Sequence, residues 1–350
     1  MSQNESTPIS LADVARAAKV SVSTVSLVLR NMGTISPKTR AHVHRVAEKL
    51  GYRPNIAASL LARHDHAHTL PTIPVALLGM GFKRKYTFAA IDFVNAFTKY
   101  ATKLGFQVVE PDPADAPDLP TLLRILYSRG VRGLLINHSF DTSLITEKEA
   151  SRFSFVFYGK SLTDHRFHHV GTEVFESTRL VWETTWARGY RRIGAALFRH
   201  RQDLQDDFAR ESAILGCEFR YKTDHVPMFF GGHWDEKGFI EWMKEVRPDA
   251  IIGFNGAVYL TLLQAGFKVP EDVALSALHV PDTQNEVAGL YQDYDELARI
   301  AAHQLEYMIA RNETGVPARP RGLLADPVFK EGRTLPFRCA VPPAQSVVPL

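Results

Sequence analysis

The chain has 350 residues, 45% of them hydrophobic and 23% charged, with a formal net charge of +3. That length exceeds one ordinary core and predicts two or three domains of ordinary globular composition. No apolar run is long enough to cross a membrane, and Met1 to Ser10 lacks the basic-then-apolar pattern of a secretory leader, which argues against membrane and export roles.

The charge is uneven. Residues 1–63 hold nine Lys and Arg against three Asp and Glu, leaving 32 against 35 for the rest. A basic head on a near-neutral body points to an anionic partner for the head alone.

Within that head, Ser10-Leu-Ala-Asp13 has the form of a helix start, a hydroxyl cap followed three residues later by an acid. Leu11, Val14, Ala15 and Ala18 then recur at helical spacing. The next stretch, Val20 to Arg30, is rich in valine and could be taken for a half-buried strand. Yet Ser21 is placed to cap, and Val25, Val28 and Leu29 share one face at a period near 3.6, so a second helix is expected. A third starts at Ser36-Pro37, runs through Val43, Val46, Ala47 and Leu50, and stops at Gly51. Two short helices across a tight turn, braced by a third, form the helix-turn-helix plan, whose second helix enters the major groove of double-stranded DNA. Ser21, Val22, Ser23 and Ser26 then lie at or near base edges and phosphates, Thr24 or Thr34 reaches a phosphate, and Arg30 reaches a base or the backbone.

Several fixed spacings coincide here: Leu11-x-Asp-Val-Ala15, Val20-Ser-x-x-Thr-Val-Ser26, Ser36-x-x-Thr-Arg40 and Leu50-Gly-Tyr-x-Pro-Asn55. Over residues 9–62 the chain resembles the DNA-binding head of the LacI/GalR family of bacterial repressors. The resemblance implies a base-reading Arg directly after Thr-Val-Ser, but this chain has Leu27 there, so that operator position is expected to be read differently. It also implies that Pro54 to Ala62 is a hinge helix that orders on operator DNA, with Asn55, Ala58 and Leu61 at the DNA and Leu61 wedged into the minor groove across a homodimer axis. By itself so short a helix is marginal. His64, His66 and His68 have no cysteine or fixed acid beside them and read as a solvated linker, with no metal and no cofactor expected.

From Pro74 onward, apolar runs of strand length alternate with amphipathic helical stretches. Strands are expected at 75–78, 107–109, 133–136, 155–158, 193–197, 226–229, 250–254 and 273–278, with helices at 91–104, 121–128, 177–188, 237–246 and 257–264. Such repeated units predict doubly wound α/β structure. Gly189-Tyr190 to Gly194 and Val269-Pro-Glu-Asp-Val273 extend the resemblance into the body. It implies a periplasmic-binding-protein-like domain of two parallel-sheet lobes joined by three crossovers. The expected division is a helix-turn-helix domain 1–53, hinge and linker 54–71, an effector and dimerisation domain 72–340, and a tail 341–350. Lobe one takes about 72–166 and 294–322, lobe two about 167–293 and 323–340.

Ligands of such folds sit at the carboxyl ends of the strands. The loops expected there offer Phe82, Arg84, Tyr86, Asn137, His138, Arg199, Trp234, Asn255, His279 and Asp282. Aromatic faces beside amide and charged groups suit a carbohydrate. By resemblance Asn255 matches a position that contacts sugar hydroxyls, and His279 and Asp282 stand where relatives have Phe-Asp-Asp. The effector-clamping Arg of an Arg-x-x-Gly-Phe phrase is missing from Gln202 to Phe208, and Arg199 is the expected substitute.

Three functions compete. An effector-controlled, dimeric, cytoplasmic repressor accounts for both head and body. An enzyme is disfavoured because Gly-x-Ser-x-Gly, Gly-x-x-x-x-Gly-Lys and His-Glu-x-x-His are absent from the sequence. A solute-binding transport protein is opposed by the DNA-binding head and by the missing secretory leader pattern, and the two widely separated cysteines, Cys217 and Cys339, fit a reduced cytosolic compartment.

Overall fold

The computed structural model describes residues 10–29, 35–50, 52, 72–79, 88–112, 116–137, 145–159, 166–199, 205–231, 235–280 and 286–338. The hinge and linker expected at 54–71 and the tail at 341–350 lie outside them.

The head consists of α1 (Leu11–Ala18), α2 (Val22–Leu29) and α3 (Pro37–Lys49). Each start is fixed by a serine. Ser10 and Asp13 exchange hydrogen bonds in a capping box, the Asp13 amide reaching Ser10 Oγ at 3.3 Å. Ser21 Oγ accepts from the Thr24 amide at 3.0 Å, and Ser36 Oγ from that of Thr39 at 3.2 Å. These bonds satisfy amides that have no partner inside a helix. Val14, Ala15, Ala18, Val25, Val28, Val43 and Ala47 form the small core between the helices. The valines of α2 are therefore used as helix-packing residues, and tertiary burial overrides their strand propensity.

The body holds two six-stranded sheets. The first contains β1 (Ile73–Leu78), β2 (Phe106–Val109), β3 (Gly133–Asn137), β4 (Ser154–Tyr158), β5 (His168–Thr172) and, late in the chain, β11 (Gly322–Ala325), in the order β11-β5-β4-β3-β1-β2. Its covering helices include α4 (Phe88–Lys103), α5 (Leu119–Ser128) and the short α6 (Glu147–Ala150). The second contains β6 (Ile193–Phe198), β7 (Phe229–Gly231), β8 (Ala250–Gly253), β9 (Ala274–Ala277), β10 (Ala288–Tyr291) and β12 (Val328–Lys330), in the order β12-β10-β9-β8-β6-β7. With it come α7 (Val174–Ala187), α8 (Gln205–Tyr221), α9 (Glu236–Val246) and α10 (Ala257–Gln264). Pairing is parallel except for β10 with β12.

Between β10 and β11 the chain forms α11 (Tyr294–Arg311). It buries Leu297, Ala298, Ala301, Ala302, Leu305 and Met308 with Phe93 and Phe97 of α4, so it belongs to the first lobe. The chain thus passes between lobes three times: at 173, at 292–293 and at 326–327.

The boundaries move accordingly. The expected division at 166/167 is shifted, because β5 pairs with β4 and β11 inside the first sheet. The expected division at 322/323 falls within β11 and is shifted to follow Ala325. The strand expected at 226–229 pairs instead from Phe229, opposite Ala196. The Val226 amide is held by Glu218 Oε1 at 3.1 Å and joins no ladder. Four strands, β5, β10, β11 and β12, lie outside the expected set: His-His-Val-Gly-Thr of β5 is largely polar, β10 and β11 are four residues long and each contains a glycine, and β12 spans three residues.

Candidate nucleic-acid interface and ligand cleft

On α2 the core takes Val25 and Val28, which leaves the N-terminal turn facing outward. Val22 is 47% exposed, Ser21 and Ser23 are exposed, and Thr24, Ser26 and Leu27 are half-buried at the margin. Ser21 Oγ lies 2.7 Å from both Ser23 Oγ and Thr24 Oγ1. The hydroxyls of this stretch thus have two uses: Ser21 builds the helix start, and Ser23 stands beside the only large exposed apolar side chain described in the head. The first turn of α2 carries no acidic residue, so its free amides and the helix dipole present a positive end to an anion. Arg30, Thr34, Asn55, Ala58 and Leu61 lie outside the described residues.

In the body, Asn137, Asn255 and His279 all stand at the carboxyl ends of strands, Asn137 as the last residue of β3 and the other two just past β8 and β9. Asn137 is buried at the last register position of β3, opposite Tyr158. Asn255 is exposed, and its Oδ1 accepts from the Ala257 amide at 2.9 Å, holding the first amide of α10 from one residue ahead of the N-cap Gly256. His279 packs its ring 4.9 Å from that of Phe254. Gln292 Nε2, on the second crossover, donates to His279 Nδ1 at 2.9 Å. The imidazole therefore keeps its proton on Nε2. Enclosure, reinforced by the Arg210 guanidinium, pushes its pKa down to about 3, so the ring is neutral.

Arg199, the cation expected to replace the clamp, and Arg210 have opposite surroundings. Arg199 is turned outward over the Phe230 ring at 4.1 Å and toward Glu211 at 3.4 Å. Arg210 is only 6% exposed and lies 5.1 Å from the Phe254 centroid. Its Nη1 donates to Asp207 at 3.2 Å, its one hydrogen bond among the described residues. Desolvation pulls its pKa below the usual guanidinium range, while Asp206 and Asp207 oppose that shift. Arg210, His279 and Gln292 line a narrow recess of about 20 Å³ with Thr172, Val174 and Pro327. All three crossovers contribute walls: Thr172 and Val174 flank the first, Gln292 is on the second, and Pro327 on the third. Arg210 and Gln292 were not among the residues expected from sequence. Arg210 follows Phe208 by two residues, just past the phrase searched for a clamp, and its helical phase with Asp207 is the signal that was available. Phe82, Arg84, Tyr86, His138, Trp234 and Asp282 lie outside the described residues, and no group of His, Cys, Asp and Glu among the described residues is arranged to hold a metal.

The geometry has counterparts in known proteins. Residues 10–55 match the family described as bacterial regulatory proteins, lacI family, and residues 183–332 match a periplasmic binding protein-like domain. The HTH-type transcriptional regulator MalR of Streptococcus pneumoniae serotype 4 is 28% identical over 93% of this chain and 100% of its own length. Catabolite control protein A of Staphylococcus xylosus is 22% identical over 85% of this chain and 98% of its own. Among solved structures, a transcriptional regulator CelR–cellobiose complex superposes with a TM-score of 0.58 at 19% identity, covering 93% of this chain and 99% of that one. The lac repressor dimer bound to operator and the anti-inducer ONPF gives 0.57 at 21% identity, covering 94% of this chain and 100% of that one.

Proposed function

The chain belongs to the LacI family of bacterial regulatory proteins, and from that premise we propose that this transcriptional regulator is a dimeric repressor whose grip on operator DNA is set by a carbohydrate in the cleft between the two lobes, where the crossovers wall a narrow recess. The observation that carries the reading is the recess itself: its walls come from all three connections between the lobes. A ligand that fits only one lobe angle changes the population of that angle, and DNA that fits one spacing of the two heads does the same. The two binding events are then coupled, each altering the affinity of the other by the same factor.

At the DNA, Val22, Ser23 and Ser26 read base edges, with Leu27 in place of the family's Arg. By the family resemblance Leu61, which lies outside the described residues, is assigned to the minor groove. At the recess, Arg210 and His279 Nε2 supply donors to ligand oxygens, and Asn255, at the carboxyl end of the neighbouring strand β8, supplies an amide. Among the described residues no helix is long and apolar enough to cross a membrane, and the site of action is the cytoplasm.

Operator selected from random DNA should be near-palindromic, and its binding should respond to some member of a sugar panel that also raises the thermal midpoint of the protein. Selection of a directional, single half-site would remove the dimer. Operator binding indifferent to every ligand that stabilises the protein would remove the coupling.

A further inference from the structure

Gln292 occupies a place in the chain that lining the recess does not account for. Tyr291 is the last residue of β10 and pairs with Val328 in the second sheet. Asp293 is already the N-cap of α11, its Oδ1 accepting from the Glu296 amide at 3.0 Å, and α11 packs in lobe one. Gln292 is therefore the single residue between a strand of one lobe and the cap of a helix in the other. A change of lobe angle has to turn backbone dihedrals at or beside it, as hinges at element ends do. Its side chain nevertheless reaches back into lobe two, where Nε2 donates to His279 Nδ1 at 2.9 Å. The imidazole packs on its other side against the Phe254 ring, 4.9 Å away.

We propose that Gln292 is a positioning residue, which ties His279 to the second crossover and fixes the ring nitrogen that donates to the effector. A neutral imidazole carries one N–H, and the bond made by one nitrogen decides the role of the other. An amide nitrogen only donates, so Nδ1 accepts and Nε2 holds the proton. The recess that His279 and Arg210 wall has about 20 Å³, room for one water-sized group. It admits one oxygen of a larger ligand, and two donors face it there, so that oxygen has to accept: a hydroxyl or a carbonyl. Because the tether starts on the crossover, the ring is held in this state only at lobe angles that keep Gln292 within reach. A ligand oxygen bound to Nε2 then favours those angles over others, which is the differential affinity that a shift of population requires. The inference rests on the effector reading above, but the state of the ring is a property of the ligand-free protein, so the two can fail separately.

The full chain with isotope-labelled histidine reports the protonation of each ring through its two nitrogen shifts, and the His279 signals are those missing from His279→Gln. Ligand-free wild type at neutral pH should show a protonated Nε2 and a bare Nδ1. In Gln292→Glu the carboxylate only accepts, so the proton should move to Nδ1. In Gln292→Met, similar in length but without donor or acceptor, the shifts should move part of the way, and amide exchange across 291–294 should quicken because the tether is gone. Glucose, ribose and cellobiose serve as calorimetric probes. One that binds wild type should bind Gln292→Glu at least about tenfold more weakly, since the donor facing its oxygen has become an acceptor. Wild-type His279 protonated on Nδ1, or shifts and exchange unchanged in both variants, overturns the proposal. A sugar bound as tightly by Gln292→Glu, with the proton moved, overturns it as well. Wild type that binds no neutral sugar defeats the carbohydrate reading instead, and the nitrogen shifts and exchange rates still decide the role of Gln292.

Discussion

Replacing Arg210 by Met tests whether the buried cation is a structural partner, a ligand donor, or both. The guanidinium and the Asp207 carboxylate are each 8% exposed at the side chain and meet through one 3.2 Å contact. Asp206 is buried beside them and also pairs electrostatically with Arg210. Removing one member of a buried pair leaves a charge without its partner and costs about 3–5 kcal/mol. Two features reduce that figure: both acids sit in the first turn of α8, where the helix dipole favours them, and both have further interactions of their own. The expected loss is therefore about 2–4 kcal/mol. Asp207→Asn combined with Arg210→Met removes both ends of the contact and should recover about 1–2 kcal/mol of it, the coupling expected for residues in direct contact. All four tryptophans, at 182, 186, 234 and 242, lie between β5 and β10, so urea unfolding followed by tryptophan fluorescence reports on the lobe in question. Effector affinity should fall in the single and the double variant alike, because each lacks the donors that face the recess. A single variant within 1 kcal/mol of wild type, or a double variant no more stable than the single one, would refute the pairing. Restored effector affinity in the double variant would refute the donor role.

Asn255→Asp keeps an oxygen to cap α10 but removes the amide donor, whereas Asn255→Ala removes both. The Ala variant should lose about 1 kcal/mol of stability, while the Asp variant keeps its thermal midpoint, and both should bind effector more weakly by about 1–3 kcal/mol; titration calorimetry showing full affinity for the Asp variant would confine Asn255 to capping. Leu27→Arg should shift base preference toward guanine at one position of each half-site by about 1–3 kcal/mol, and operator selection that returns the wild-type sequence would mean that Leu27 does not face the groove. The His279 pKa is depressed from 6.5 to about 3 in the fold, so the ring is accommodated without penalty above pH 6.5, and a proton-linked loss of stability grows as pH falls from there toward 3. His279→Gln should show a shallower decline in that window, and identical pH profiles would exclude the histidine as its source.

The sequence alone determined the head and the class of the body. Ser10, Ser21 and Ser36 cap helices through bonds that reach only three residues along the chain, and the valines of α2 repeat at the helical period, so everything needed to place these elements is local. The central strands β1, β3, β4, β6 and β8 were legible for a similar reason: strands covered on both faces carry continuous apolar runs. Tertiary structure alone decided which lobe receives each late segment. Strand β5 is recognisable by its ladders with β4 and β11, β11 by its ladder with β5 across some 150 residues of chain, and α11 is assigned to lobe one by packing on Phe93 and Phe97. The recess was decided in the same way. Arg210, His279 and Gln292 come from three separate stretches, and the phase of α8 against the sheet turns Arg210 inward, whereas Arg199, just past β6, faces out over Phe230. Hydrophobic period and caps are written in neighbouring residues, whereas the meeting of polar side chains at a crossover depends on contacts between segments that no local pattern encodes.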